Sequence, residues 1–560
     1  MKFKDYIYKR TDEKAALAKL DELLTRAGNA KSAEEQIAVG EELAALQNDT
    51  ATMASLAYTR NSLDMSDSFY KEEQGFYDNF IPLCEEKSMR ISKVFINSPF
   101  RPDLENTWGA KAFEEMEMSV KSISEEIVGL MGEEAELAHK YDELCASAQI
   151  EFMGETLNIE QLGKYKVDPD ASVRRAACEA MAGFYNSHLD ELDEIYQSLV
   201  KNRNTQAKTL GFKNYTQLSY LRLSRNGYGP EEVRQFRENV AKDLVPLVAK
   251  IKAAQAKRIG LDKIRFSDDN YMFADGNPAP KGSPEHLLAQ AVRMYSEMSP
   301  QTKEFIEFMN ERDLFDLVAR KNKATGGYCT EFPNYKSPFI FSNFRGTAGD
   351  VDVLTHEAGH AFNSYSNRER LSFMAGKYSM EIAETHSMSM EFFTEPWYHL
   401  FFQEDTEKYI LQHFEDAVSF IPYGCIVDEF QHFVYDRPES TIEDQNKKWM
   451  ELEAKFRPYL DYDALPFFGE GRTWQRQSHI YTVPFYYIDY CLSQTIALQF
   501  YMLMSENRAN AWEKYMYFIK NSCKRKFTDL MEDTGMDSPF TDGSLKTLGK
   551  FVEKWLKNHA

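Results

Sequence analysis

Apolar residues recur at three- and four-residue steps across residues 14–24 (KAALAKLDELL) and again across 34–46, the spacing that lines one face of an α-helix. A third such run, 66–96, stops at Ser98-Pro99-Phe100-Arg101-Pro102, where two prolines end the helix and turn the chain. Residues 150–159 (IEFMGETLNI) predict a short hairpin around Met153-Gly154-Glu155. Helical spacing returns over 170–189 and 230–258, and the Asp-, Asn-, Gly- and Pro-rich stretch 266–284 predicts a loop. Between 326 and 349 the pattern changes. Six Phe and Tyr residues stand there among turn formers, with a strand-like Phe339-Ile340-Phe341. From Asp350 the helical spacing continues nearly to the end, and no repeat or low-complexity tract interrupts it. The pattern predicts a mainly α protein with one small sheet.

Composition narrows the function. The 560 residues carry 66 basic and 88 acidic side chains, a net charge of −22, and are 43% hydrophobic. That is ample for a packed core, and it excludes wholesale disorder. A body so acidic repels phosphate, and the longest basic cluster in the C-terminal region, Lys524-Arg525-Lys526, is no stripe, so no nucleic-acid partner is expected. Seven scattered cysteines without CxxC spacing fit a reducing compartment. The N-terminal segment has no apolar signal region, and the apolar stretch 490–505 is broken by Ser493, Gln494, Thr495 and Gln499. A membrane helix needs about 20 mostly apolar residues. A cytoplasmic protein without a membrane span is expected.

Residues 350–362, DVDVLTHEAGHAF, contain His356-Glu357-Ala358-Gly359-His360. On a helix the two histidines lie one turn apart on one face, which lets both imidazoles reach one tetrahedral zinc. Glu357, beside the first ligand, then addresses the metal's open position as general base on its bound water. An ordinary amphipathic helix with two surface histidines is the bland alternative. The helical spacing on both sides, the strand-like segment before it and Asp352 one turn before His356 count against that alternative. Asp352 could fix the tautomer of a ligand imidazole, or simply favour the positive end of the helix dipole.

A third protein ligand is needed. A longer motif with a further histidine is excluded, because Asn363 and Ser366 occupy the required glycine and histidine positions. Residues 379–393, SMEIAETHSMSMEFF, supply glutamates instead. Spacing leaves Glu381 and Glu384 both open, since they share a helix face. Glu391 shares it too but stands about 10 Å further along at ~1.5 Å per residue. His386 points to the other side of that helix from Glu384 and is a decoy by this reading.

The stretches LTHEAGHAFNSY (354–365) and MEIAETHSMSMEFF (380–393) together resemble the M3 family of zinc oligopeptidases, in its oligoendopeptidase F branch. So do LGFKNY (210–215) followed by RNGYG (225–229), DPDASVRRAACEAM (168–181), and SHIYTVPFYYIDY (478–490), all in the family's order. The resemblance runs from about residue 150 to 550. It implies that His356 and His360 bind one Zn2+ per chain, that Glu357 is the catalytic base, and that the third ligand is Glu384. Glu381 becomes a polar neighbour. The family also uses a histidine and tyrosines of the C-terminal segment to bind substrate and stabilise the transition state. Those are read here as His479, Tyr487 and Tyr490, with Tyr486 able to replace either tyrosine. A phenol O–H suits an oxyanion, whereas the alternative is a set of core aromatics with satisfied hydroxyls.

The expected fold is therefore mainly α. It has a zincin-type catalytic domain (166–560), a small sheet beside the His356–His360 helix, and a helical N-terminal domain (1–165) enclosing a channel, as the resemblance implies. Phe339–Phe344 is expected to be an edge strand that binds peptide backbone. The expected activity is zinc endopeptidase cleavage of short unfolded peptides. The rivals are a carboxypeptidase or dipeptidase, holding the substrate carboxylate on Arg345, Arg472 or Arg476, and a non-catalytic peptide-binding scaffold.

Overall fold

Helix α1 (Glu13–Asn29) starts where the Asp12 carboxylate accepts the Ala15 N–H, and it buries Ala16, Leu20, Leu23 and Ala27 along one face. Helix α2 (Ala33–Leu63) is capped by Ser32, and α3 (Ser68–Ile96) by Asp67. The three pack through Leu20, Leu23, Val39, Leu43, Ile91 and Phe95, all fully buried. Each such side chain contributes about 1.5–3 kcal/mol by leaving water.

The computed structural model describes residues 1–369 and 378–559. The chain divides into two compact units. The first comprises Met1–Val120, Ala279–Thr406 and Leu503–Met536, and the second Lys121–Pro278, Glu407–Met502 and Asp537–Ala560. These units cut across the linear division at residue 165 read from the sequence, because α1–α3 pack with the sheet of the first unit. The Asn334 N–H bonds Thr52 Oγ1 at 3.0 Å, Tyr6 and Ser337 join hydroxyls at 2.7 Å, and the Phe3 and Phe339 rings lie 4.4 Å apart.

That sheet has three strands, β1 (Phe315–Val318), β2 (Tyr328–Phe332) and β3 (Ser337–Phe344), in the order β1-β3-β2. β1 runs parallel to β3 and β2 antiparallel to it. The expectation for Phe339–Phe344 is overturned: β3 is the central strand, buried at every position except Asn343. An uninterrupted apolar run suits a strand covered on both faces, and that is what Phe339-Ile340-Phe341 is. β2 is the edge. The Ile340 N–H bonds the Leu314 carbonyl, so Ile340 turns its backbone groups toward the β1 side. Its neighbour across the ladder, Cys329, therefore turns its own N–H and C=O away from β3, and Glu331, opposite Pro338, does the same.

A tight turn leads from β3 into the next helix, α4 (Ala348–Asn367). Gly346 takes φ +82°, and the Asp350 carboxylate accepts the Arg345 N–H at 3.0 Å and the Gly346 N–H at 2.6 Å. Helix α5 (Met380–Thr394) packs along α4.

The second unit is built from helices such as Val128–Ala146, Ala171–Ser187 and Leu189–Thr209. The hairpin Ile150–Phe152 with Glu155–Leu157 forms where the alternation predicts it, turning at Met153 (φ 49°) and Gly154 (φ 82°). Its interior carries matched charges, among them Arg225 with Asp489 and Arg174 with Asp268, each at 2.7 Å. Among the described residues no helix is long and apolar enough to cross a membrane.

Candidate metal centre

One group of three converging His, Cys, Asp or Glu side chains is found among the described residues: His356, His360 and Glu384, with ligand atoms all within 4.8 Å of one another. α4 presents the two imidazoles one turn apart, with ring centroids 4.9 Å apart. α5 brings in the carboxylate, placing Glu384 Oε2 at 3.2 Å from His356 Nε2 and 3.6 Å from His360 Nε2. Gly359 makes this approach possible, since a β-carbon there would meet the backbone of α5. Two imidazole nitrogens and one carboxylate oxygen, leaving a fourth position for water or substrate, are the donor set of a catalytic zinc.

Surrounding groups orient the three. Glu391 Oε1 lies 2.7 Å from His356 Nδ1, which places the ring proton on Nδ1 and turns the lone pair of Nε2 toward Glu384. The Ser387 hydroxyl approaches Glu384 Oε2 at 3.2 Å. Burial alone would push the Glu384 carboxyl up, but His360 and His356 outweigh it and hold the group well below the usual carboxylate range. Glu357 is buried, and that burial raises its carboxyl above the usual range despite the two histidines. A carboxylate raised in this way is a better proton acceptor near neutrality.

The other glutamates of α5 have separate places. Glu381 is fully buried and accepts from the Ser379 hydroxyl at 2.7 Å, outside the converging group. Glu391, weighed in the sequence only as a possible ligand, instead bonds His356, a member of the converging group. Its spacing from Glu384, two helical turns, puts it on the same face of α5. His386 is also outside the group, fully buried with its ring between Tyr378 and Phe518.

In the second unit His479 lies among three tyrosines, with centroid separations of 6.0 Å to Tyr486, 5.0 Å to Tyr487 and 5.9 Å to Tyr490. The Gln477 amide donates to His479 Nδ1 at 2.8 Å, which leaves the proton of the neutral ring on Nε2. Gln477, which no sequence motif singles out, is held in turn by the Tyr423 hydroxyl at 2.8 Å. Tyr481 takes no part in this group. It is fully buried, with its hydroxyl toward the Leu192 carbonyl.

Two family descriptions match the chain: the peptidase M3 N-terminal domain over residues 3–123 and peptidase family M3 over residues 164–550. Among solved structures, PZ peptidase A bound to an inhibitor is 43% identical with a TM-score of 0.94, covering 100% of this chain and 99% of that one. A chain of Bacillus anthracis strain Ames, provisionally named an oligoendopeptidase F, is 42% identical with a TM-score of 0.89, covering 100% and 98%. The oligopeptidase PepF of Bacillus subtilis is 22% identical over 380 residues, which are 65% of this chain and 54% of that protein. The match thus spans about half the length of this curated relative. With its family model covering residues 164–550, the chain belongs to peptidase family M3, a family of metallopeptidases.

Proposed function

We propose that this chain is a zinc endopeptidase acting on short, unfolded oligopeptides. The observation that carries the reading is the convergence of His356, His360 and Glu384 within 4.8 Å, with Glu357 on the same helix as the two histidines. Zinc, when bound, supplies Lewis-acid polarisation of the scissile carbonyl and lowers the pKa of the attacking water. His356, His360 and Glu384 hold it, and Glu391 fixes the first of them. Glu357 takes the proton of the attacking water and delivers it to the leaving amine. The His479 Nε2–H and the hydroxyls of Tyr487 and Tyr490 are the donors assigned to the developing oxyanion and the substrate backbone. Peptide main chain pairs along the edge strand β2, where backbone hydrogen bonds ignore side-chain identity.

The names of relatives such as the oligopeptidase PepF support an oligopeptide substrate. The free state of all seven cysteines supports a reducing, cytoplasmic location. The test is a short, end-blocked, internally quenched peptide, offered with and without a zinc chelator. Cleavage that stops with a chelator and returns with zinc supports the reading. Release only from a free C-terminus moves the assignment to a carboxypeptidase, and silence on both peptides with zinc bound refutes it.

A further inference from the structure

Basic groups drawn into the second unit are matched by carboxylates. Arg203 meets Glu134, Arg457 meets Glu453, Lys252 meets Asp269 and Arg472 meets Asp193. Lys166 and Arg476 are not matched. Lys166 sits on the short turn Gly163–Val167 and Arg476 on the turn Thr473–Arg476, both half-buried. Neither forms an ion pair with a described residue, and Arg476 Nε is buried with no acceptor.

The two cations share one surrounding: the turn carrying Lys166 packs against the turn Phe266–Asp268, and Arg476 faces the ring of that same Phe266. Burial first, and the charge of Arg476 second, push the Lys166 ammonium below its usual range. The carboxylate that acts on Lys166 is Asp269, which already holds Lys252 at 2.7 Å. The surroundings are aromatic: the Arg476 guanidinium lies 5.8 Å from the Phe266 ring, which stacks on Tyr462 at 5.1 Å. Tyr423, within the field of Arg476, makes an edge contact with Tyr487 at 5.7 Å and bonds the Gln477 that sets the tautomer of His479. The unmatched charges therefore adjoin the His479–tyrosine group through one aromatic ring.

In a protein of net charge −22, two half-buried cations with no ion pair of their own are destabilising. A ligand carboxylate offers what they lack: a planar partner for the guanidinium fork and a point charge for the ammonium. We propose that Lys166 and Arg476 form an anion subsite that holds the C-terminal carboxylate of the bound peptide. The proposal deepens the peptidase reading and rests on it.

Three peptides of one core sequence test it on the zinc-loaded full chain: a free acid, its C-terminal amide, and an amide ending in glutamate. Wild type is expected to cleave the acid with kcat/KM about tenfold or more above the amide, mainly through KM, the scale of one charge-assisted contact. Arg476→Gln and Lys166→Gln each bring that ratio to within about twofold, lowering cleavage of the acid far more than cleavage of the amide. Recovery of the preference by the glutamate-ending amide supports the anion subsite with a side-chain carboxylate as its source. Equal use of acid and amide by wild type overturns the subsite, and so does an equal loss on both peptides in the variants. Binding of labelled acid and amide to Glu357→Gln reads the same preference without turnover, so a failure of catalysis is distinguished from a failure of the subsite.

Discussion

An ideal β-carbon on Gly359 would stand 2.6 Å from the Cα of Ser387 and 2.8 Å from the His386 carbonyl oxygen, closer than real β-carbons come. This contact sets how near the two ligand-bearing helices approach, and so whether Glu384 reaches the imidazoles. Gly359→Ala must separate backbone from backbone, with no flexible side-chain end to give way. Overpacking of this kind costs about 1–3 kcal/mol. A lower Tm, reduced metal content and reduced kcat/KM are expected together. Full metal content at an unchanged Tm would refute the link between this glycine and the site.

Glu391 stands 2.7 Å from His356 Nδ1 and on the same face of α5 as Glu384. Removing a carboxylate that orients a metal-bound imidazole typically costs about 10–100-fold in metal affinity. Glu391→Ala is expected to lose zinc to a competing chelator within that range. Glu381→Ala, which removes a carboxylate held by Ser379, is expected to keep its zinc far better. The reverse order in a chelator titration would reassign the two glutamates.

Glu357→Gln keeps the size of the side chain and deletes its basicity. Metal content is expected to stay at the wild-type level while kcat falls about 10²–10⁴-fold, the usual scale of general acid–base catalysis. Wild-type turnover in this variant would sink the mechanism.

The proposed mechanism leaves three tyrosines as candidate donors to the oxyanion. Tyr486, Tyr487 and Tyr490 all lie within 6.0 Å of the His479 ring by centroid. Phenylalanine at the donor position is expected to lower kcat by about 10²–10³-fold with little change in KM, as loss of an oxyanion donor does. Tyr487→Phe and Tyr490→Phe are expected to show this, and Tyr486→Phe to show less. A KM effect alone in all three would assign them to substrate binding.

What the sequence revealed follows from how local each feature is. The motif at 356–360 needs one helical turn, and its geometry could be read directly. The carboxylate that joins the two histidines lies on another helix, so spacing alone leaves Glu381 and Glu384 open, and the family resemblance chooses between them. Sheet order is set by pairing between distant strands, which is why the sequence reading places β3 at an edge, although its unbroken apolar run suits the central position it takes. Glu391 is rightly set aside as a ligand by its distance along the helix, but its bond to His356 is not legible, because it depends on how α5 packs on α4. Lys166 and Arg476 are 310 positions apart, and no local pattern joins them.

His432 sets a pH limit on the stability of the second unit. It is buried, with Nε2 3.5 Å from Asp428 Oδ2, and its ring is pushed down to about 4, first by burial and also by Arg237 and Arg225. Asp428 and Asp436 act in the opposite direction but do not prevail. The unfolded chain binds this proton near pH 6.5 and the folded one only near pH 4, so between those values the unfolded state carries more protons and stability rises with pH. The contribution is fully present above about pH 6.5 and is lost as pH falls toward about 4, amounting to about 3 kcal/mol at roughly 1.36 kcal/mol per unit. Tm measured from pH 7.5 to 4 is expected to fall across that window, and His432→Phe, which removes the titration, to flatten the slope. An identical slope in wild type and variant would show that other groups govern the acid limit.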